Sequence, residues 1–161
     1  MQIEPYHDDP KHLAELVDLI LYCQNTEAHL NIKMADQPDV FAIAEHYQAP
    51  GGNFWLALEQ QHVVGCIGLL PVTPTVAVLK KFFVDPEFRG QPHVLGWQLY
   101  QTLLTAAKAQ GIKRLVLDTP EAEHRSHRFY ERQGFIQCQL ADLGVTYAFP
   151  DRQSRFYQLT L

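Results

Sequence analysis

The chain has 161 residues, 47% of them hydrophobic and 19% charged, which is enough for one sizeable core and predicts a single domain over 1–161. Lysine and arginine number 13 against 18 aspartates and glutamates, so the formal net charge is -5. The chain has no basic tract. This argues against a nucleic-acid partner, because neutralising phosphates supplies most of that affinity. A mildly acidic surface instead suits a cationic ligand.

The cysteines and the N-terminus indicate the cellular compartment of the protein. Cys23, Cys66 and Cys138 are odd in number and far apart, which indicates buried, reduced thiols. The first ten residues place acid and proline where a signal peptide is basic and then apolar. No apolar run approaches the roughly 18 residues of a membrane span. We therefore expect a cytoplasmic protein with no membrane partner.

The N-terminal third is predicted to be helical. Asp9 followed by Pro10 is typical of a helix start, and apolar residues then recur at helical spacing over 10–24. A second, weaker helix is predicted over 38–47, and the turn at 49–52 ends it.

Strand-like runs follow at 54–58, 63–70 and 76–84, and three consecutive strands predict an antiparallel meander. A helix is predicted over 95–107 with Gly111 as its cap, and then a buried strand over 114–118. A further helix is predicted from Pro120 to Gly134, and strands over 135–138 and 155–161 close the chain. This order predicts an α/β (α+β) fold, with a mixed central sheet and helices on both faces.

The segment 80–97 (KKFFVDPEFRGQPHVLGW) places a strand, a proline turn, an Arg-Gly loop and a helix start in succession. Amides at a helix start have no intrahelical partner, the helix dipole is positive there, and glycine allows a phosphate to approach. Arg89 adds a charge-assisted contact. The segment therefore predicts an anion site, with an ordinary strand-to-helix loop as the alternative.

Two segments, 84–90 (VDPEFRG) and 129–135 (FYERQGF), together resemble the GNAT superfamily of acyl-CoA N-acyltransferases. In that family a V-x-P-x-x-R-G turn leads into the pyrophosphate-binding loop, and an FYE-x-x-GF segment carries a tyrosine near the thioester sulfur. The resemblance implies acetyl-CoA as co-substrate, a primary amine on a small molecule or peptide as acceptor, and direct attack on the thioester in a ternary complex.

The same resemblance implies which residues hold the donor. The backbone of Phe83 and Val84 would hold the pantetheine and acetyl group. The residues implied to bind CoA are Phe82, Phe83, Val84, Arg89, Gly90, Gln91, Val94, Leu95, Gly96, Trp97, Glu123 and Ser126.

Tyr130 is implied to be the catalytic residue, acting on the departing thiolate. Giving a phenol proton to that thiolate is uphill by about 2 kcal/mol, which favours a hydrogen bond with late proton transfer. The alternative is a packed aromatic with its hydroxyl at the surface.

The sequence departs from the family pattern in the phosphate loop. After Arg89 the family continues G-x-G-x-G/A, whereas 90–96 here is GQPHVLG. The loop is either two residues longer, or Val94 replaces a glycine. Pro92 has no amide to offer in either case. Glu123 stands where the family often has asparagine.

Several roles stay open at the level of sequence. The candidates for a general base are Glu27, His29, Asp36, Asp85 and His124. His124 and His127 have the spacing of a metal pair, but no third ligand is evident, so we expect two solvated histidines and no metal.

The main rival function is a non-catalytic CoA-binding or regulatory domain, motivated by Pro92 and the missing glycine. A nucleotide-binding Rossmann unit is disfavoured because no GxGxxG follows a strand. The acceptor is expected to contact the first two helices, the connection between them over 28–37, and the loop over 141–154. A homodimer through the last strands is possible.

Overall fold

The computed structural model describes residues 1–150 and 152–161 and shows one sheet of seven strands with three α-helices. The strands are β1 (Gln2–Pro5), β2 (Asn53–Glu59), β3 (His62–Pro71), β4 (Val76–Val84), β5 (Arg114–Pro120), β6 (Ile136–Cys138) and β7 (Ser154–Thr160). The helices are α1 (Pro10–Leu21), α2 (Leu95–Ala109) and α3 (His124–Arg132). In the part of the chain that is described, no helix has the length and apolar character to cross a bilayer.

The sheet has the order β1-β2-β3-β4-β5-β7-β6, and its neighbours are antiparallel except for the parallel pair β4 and β5. This confirms the predicted meander of β2, β3 and β4 inside a mixed sheet. β4 and β5 pair only where Val76–Val78 face Arg114–Val116. Further along, a bulge in β4 puts Lys81 at a φ of 52° and the two strands separate. The gap between them opens at their carboxyl ends.

Helices cover both faces of the sheet, as the sequence predicted. On one face α1 buries Leu16 and Ile20 against a core cluster that includes Val78 and Val116. On the other face α2 buries residues such as Leu99 at helical spacing, together with part of α3. Successive side chains of the central strands point to opposite faces of the sheet, so the same strands contribute to the hydrophobic core on each face.

The N-terminal region differs from the prediction in three respects. α1 begins at Pro10 with Asp9 as its cap, but after Leu21 it continues as a π-helical turn to Glu27. The predicted second helix is wrong: a 3-10 turn over 38–41 and a π-helical turn over 44–48 take its place. Buried Asp39 of the first turn accepts a hydrogen bond from Tyr47 of the second turn. β1 was not predicted.

The C-terminal half differs at one helix start and at one cysteine. The helix predicted from Pro120 begins instead at His124, because Thr119 and Pro120 remain paired with β7. The three cysteines are free, as predicted, but Cys138 is only half-buried because it lies on the short edge strand β6.

Candidate functional site

A cavity of about 540 Å³ lies where β4 and β5 separate. Its walls come from β4, the end of β5, the start of α2, α3 and the turn that follows α1. The volume lies within the range of small-molecule sites, roughly 300 to 1,000 Å³. Because the gap passes between two central strands, the cavity reaches both faces of the sheet.

Most of the residues predicted to bind the donor line this cavity. They are Phe82, Phe83, Val84, Arg89, Gly90, Val94, Gly96, Trp97, Glu123 and Ser126. The other two do not line it: Gln91 is exposed on the loop, and the side chain of Leu95 is fully buried in the core beneath α2. Leu95 can therefore contribute only its backbone.

The start of α2 presents free amides to the cavity. No side chain caps this end, and the amides of Leu95, Gly96 and Trp97 have no acceptor within the described residues. Val94 lies in the left-handed region at a φ of 46°, and its own amide donates to Gly90 O at 2.6 Å. Since that region favours glycine, the loop fits the interpretation in which Val94 replaces a family glycine. The helix start keeps its capacity to bind an anion.

The Arg89 side chain points to Glu27, the last residue of the π-helical turn that follows α1. Its guanidinium donates to both carboxylate oxygens of Glu27 at 2.7 Å, and its Nε donates to Val84 O at 3.0 Å. This bidentate geometry is the strongest that an arginine and a carboxylate form. In this structure the Arg89 side chain therefore holds the loop against the segment after α1.

Glu27 also accepts from Arg125 of α3 at 3.2 Å, so it links three walls of the cavity. The hydrogen bond from Arg89 is the main reason why the pKa of Glu27 lies below its ordinary value. A carboxylate held by two guanidinium groups is a weak base. The remaining base candidates, His29, Asp36, Asp85 and His124, do not line the cavity.

Tyr130 lies on the cavity wall within an aromatic group. Its ring centroid is 5.5 Å from Phe135, 6.1 Å from Tyr157 and 6.4 Å from Phe82. Its hydroxyl makes no hydrogen bond with any side chain in the described parts of the chain. Burial raises the pKa of Tyr130 above its ordinary value of 10.0, so the phenol stays protonated at neutral pH.

The end of the cavity on the α1 face carries charged residues that were not singled out from the sequence. Asp118 accepts from Arg152 at 2.8 Å and from Tyr147 at 2.9 Å. Lys81 lies 3.5 Å from buried Asp39, and Lys80 donates to Ala148 O at 2.8 Å. The one available signal was Asp118, a charged residue inside a strand that otherwise reads as buried.

The two histidines of α3 lie outside the cavity. The expectation of two solvated histidines is wrong for His127, which is buried with its Nε2 2.9 Å from Pro120 O, whereas His124 is exposed. Within residues 1–150 and 152–161, no cluster of three or more potential metal ligands is present. Asp151, part of the segment predicted to contact the acceptor, lies outside the described residues.

Comparisons with known proteins agree with this arrangement. The chain matches the acetyltransferase (GNAT) family model over residues 20–135. It is 53% identical to an acetyltransferase from Streptococcus agalactiae 2603, with 99% of this chain and 98% of that chain covered and a TM-score of 0.97. It is 32% identical to a GNAT-family acetyltransferase from Staphylococcus aureus Mu50, with 99% and 98% covered and a TM-score of 0.91.

A human protein, N-acetyltransferase 8B, is 34% identical over 110 residues, which are 65% of this chain and 48% of that protein. The chain thus spans about half the length of the curated relatives it matches.

Proposed function

The chain belongs to the acetyltransferase (GNAT) family, and we propose that it transfers an acetyl group from acetyl-CoA to a primary amine by direct attack in a ternary complex. The family and the fold class predicted from the sequence are confirmed. The family uses acetyl-CoA and acts on amines. We assign the activity to one N-acetyltransferase domain over 1–161.

The observation that carries this proposal is the cavity at the separation of β4 and β5, which joins free helix-start amides to a buried tyrosine. CoA fits the donor end because a pyrophosphate needs unpaired N–H groups, which Leu95, Gly96 and Trp97 supply. The pantetheine arm would run along β4 at Phe83 and Val84, where β5 no longer pairs, beside the Val84 O that accepts from Arg89 Nε.

The contact between Arg89 and the pyrophosphate stays a prediction, and we propose a second role for this side chain. Its guanidinium is already bound by Glu27 and Val84 O. Arg89 then acts as a positioning residue that sets the loop, and the backbone amides bind the phosphates.

One side chain, together with water, is proposed to act on the reacting atoms. The neutral amine attacks the thioester carbonyl, the tetrahedral intermediate collapses, and the sulfur leaves as a thiolate. The hydroxyl of Tyr130, free of protein partners in the described chain, donates a hydrogen bond to that sulfur. No histidine lines the cavity within the described residues. Of its carboxylates, Glu27 and Asp118 are paired with arginines, and Glu123 lies 3.9 Å from Arg125. The amine proton therefore leaves through water.

Release of free thiol from acetyl-CoA tests the proposal. Purified protein would be mixed with acetyl-CoA and a panel of amino acids, amines, peptides and aminoglycosides, and the acetylated product identified by mass spectrometry. We expect amine-dependent thiol release for one chemical class. Stabilisation by CoA without turnover on any amine would favour a binding module over an enzyme.

A further inference from the structure

The acceptor end of the cavity is taken here as its side on the α1 face of the sheet, and the carboxylates there already have cationic partners. Glu27 is held by Arg89 and Arg125, and Asp118 is held by Arg152 at 2.8 Å. An incoming amine that carried additional positive charges would have to displace an arginine from one of them. Although the whole chain has a net charge of -5, this end of the cavity offers no free negative charge within the described residues.

Lys80, in contrast, is a buried cation with no ion pair among the described residues. The β4 bulge, marked by the φ of 52° at Lys81, leaves Lys80 and Lys81 on the α1 face of the sheet. Lys81 lies within 3.5 Å of Asp39, but no ion pair among the described residues includes Lys80. The Lys80 ammonium has three N–H donors, of which one is used by Ala148 O at 2.8 Å, and the ring of Tyr147 lies 5.8 Å from Nζ.

Burial makes the incomplete pairing of Lys80 costly. The residue is 8% exposed, and burial lowers its pKa more than the nearby carboxylates of Asp39 and Asp118 raise it. A buried charge is normally matched by an opposite charge or by hydrogen bonds to all its donors. Lys80 also lines the cavity that the acceptor must enter. A ligand with an anionic group would complete what the protein leaves unmatched.

We propose that the acceptor amine also carries a carboxylate, and that this carboxylate pairs with the Lys80 ammonium. The proposal rests on the proposed acetyltransferase function and narrows its acceptor to amino acids or short peptides with a free C-terminus. The pantetheine arm shares the cavity of about 540 Å³, so the space left suits a small amino acid-like molecule.

Matched pairs of acceptors provide the test. Common L-amino acids and dipeptides would be compared with their C-terminal amides by thiol release at saturating acetyl-CoA. We expect the free acids to have the larger kcat/KM by about ten- to a hundredfold, the range of one charge-assisted contact. The amide has the more easily deprotonated amine, so it would react faster if the carboxylate played no part. Comparing amino acids with dipeptides distinguishes the two sources of the carboxylate.

Variants then assign the effect to Lys80. In Lys80→Met, which removes the charge but keeps the length, the ratio of kcat/KM between acid and amide should fall to one or below, mainly through KM. Lys80→Arg should restore part of it. Lys108→Met, an exposed lysine of α2 outside the cavity, removes the same charge and should keep the wild-type ratio.

Binding of the N-acetylated acids to the CoA-loaded protein gives a second readout that does not need turnover. Calorimetry should show weaker binding to Lys80→Met than to the wild type. Equal rates for acids and amides, a preference that survives in Lys80→Met, or preferred acetylation of polyamines would overturn the Lys80 proposal but leave the acetyltransferase function standing. Failure of acetyl-CoA itself to bind would instead count against the proposed function.

Discussion

At the residue scale, the side chains that line the cavity fall into two groups. Some touch the reacting atoms, and others hold neighbouring residues in place. Tyr130 belongs to the first group in the proposed mechanism, because its hydroxyl has no partner among the described residues and lies in the cavity wall. Glu27 belongs to the second group, because its carboxylate is bound by Arg89 and Arg125. Substitutions at Tyr130 should therefore affect the rate of acetyl transfer, and substitutions at Glu27 should affect the binding of CoA.

Tyr130→Phe should lower the rate of acetyl transfer while CoA affinity changes little. The substitution keeps the ring packing with Phe135 and removes only the oxygen. If that oxygen supplies about 1.4 to 4 kcal/mol in the transition state, the single-turnover rate falls about ten- to a thousandfold. Rapid-mixing measurements with acetyl-CoA-loaded protein give this rate. A wild-type rate in the folded, loaded variant would make Tyr130 a packing residue.

Glu27→Gln distinguishes the two roles considered for Arg89. If Arg89 positions the loop through its bidentate pair with Glu27, losing the carboxylate should loosen the loop and raise the Kd of CoA, and Arg89→Ala should do the same. Calorimetry with CoA and with dephosphorylated pantetheine measures the effect, which should be confined to CoA. Tighter CoA binding by Glu27→Gln would instead mean that the freed Arg89 contacts the pyrophosphate.

At the scale of secondary-structure elements, the donor site depends on how closely α2 approaches the sheet. Gly65 of β3 makes this approach possible, because a Cβ there would lie 2.9 Å from Cδ1 of Leu99 and 3.2 Å from Cδ2 of Leu95. Leu95 is the first residue of α2, so its position also sets the amides that face the phosphate. Packing at Gly65 and anion binding at the helix start are thus coupled.

Gly65→Ala should therefore weaken both stability and CoA binding. Overpacking costs about 1–3 kcal/mol, which lowers Tm by roughly 2–12 °C in a chain of this size. Gly96→Ala is the matched control, since its Cβ would meet Phe82 and Val84 at 3.6 and 3.9 Å, ordinary contact distances. Scanning calorimetry compares the two. An unchanged Tm in Gly65→Ala would show that α2 has room to move.

At the scale of the whole molecule, the cavity joins elements from both faces of the sheet. Its walls include the turn after α1 from one face and the starts of α2 and α3 from the other. A ligand that bridges these walls should stabilise the native state as a unit, because the unfolded chain has no such site.

CoA should raise the Tm accordingly. At a concentration of about 100 times its Kd, binding adds about 2.7 kcal/mol, or roughly 5–11 °C for a chain of this size. Differential scanning calorimetry over a CoA series measures the shift, and adenosine serves as the control without the pantetheine arm. A CoA series that left the Tm constant would contradict the donor site.

Two carboxylates that join separate elements should make the protein sensitive to acid. Arg89 lowers the pKa of Glu27 below 4.5. Burial alone would raise the pKa of Asp39, but Lys81 and Tyr47 outweigh it and the pKa lies below 3.8. A lowered pKa gives stability that is fully present above the unfolded-state value and is lost as the pH falls through the folded-state value. Tm should therefore decrease as the pH drops below about 4.5, and it should decrease less steeply in Glu27→Gln. An equal dependence of Tm on pH in the two proteins would show that Glu27 does not have this role.

The sequence by itself determined the features that depend on neighbours along the chain. Asp9 and Pro10 start α1, the period-two runs give the meander, and 84–90 and 129–135 identify the family. Hydrogen bonds at helix starts and turns join residues a few positions apart, so their side chains can be read in order. The same local rules failed at Pro120, which pairs with β7, and at 38–47, where Asp39 is buried beside Lys81 of β4.

Only the tertiary structure decided which charges pair across the cavity. Glu27 and Arg89 are 62 positions apart, and Lys80 and Ala148 are 68 apart, so no spacing rule connects them. The bulge at Lys81 also decides which face the two lysines take, because one extra residue shifts the alternation along a strand. Net charge alone suggested a cationic acceptor. The cavity instead keeps its carboxylates paired and leaves Lys80 with one acceptor among the described residues, because charge acts through position and burial.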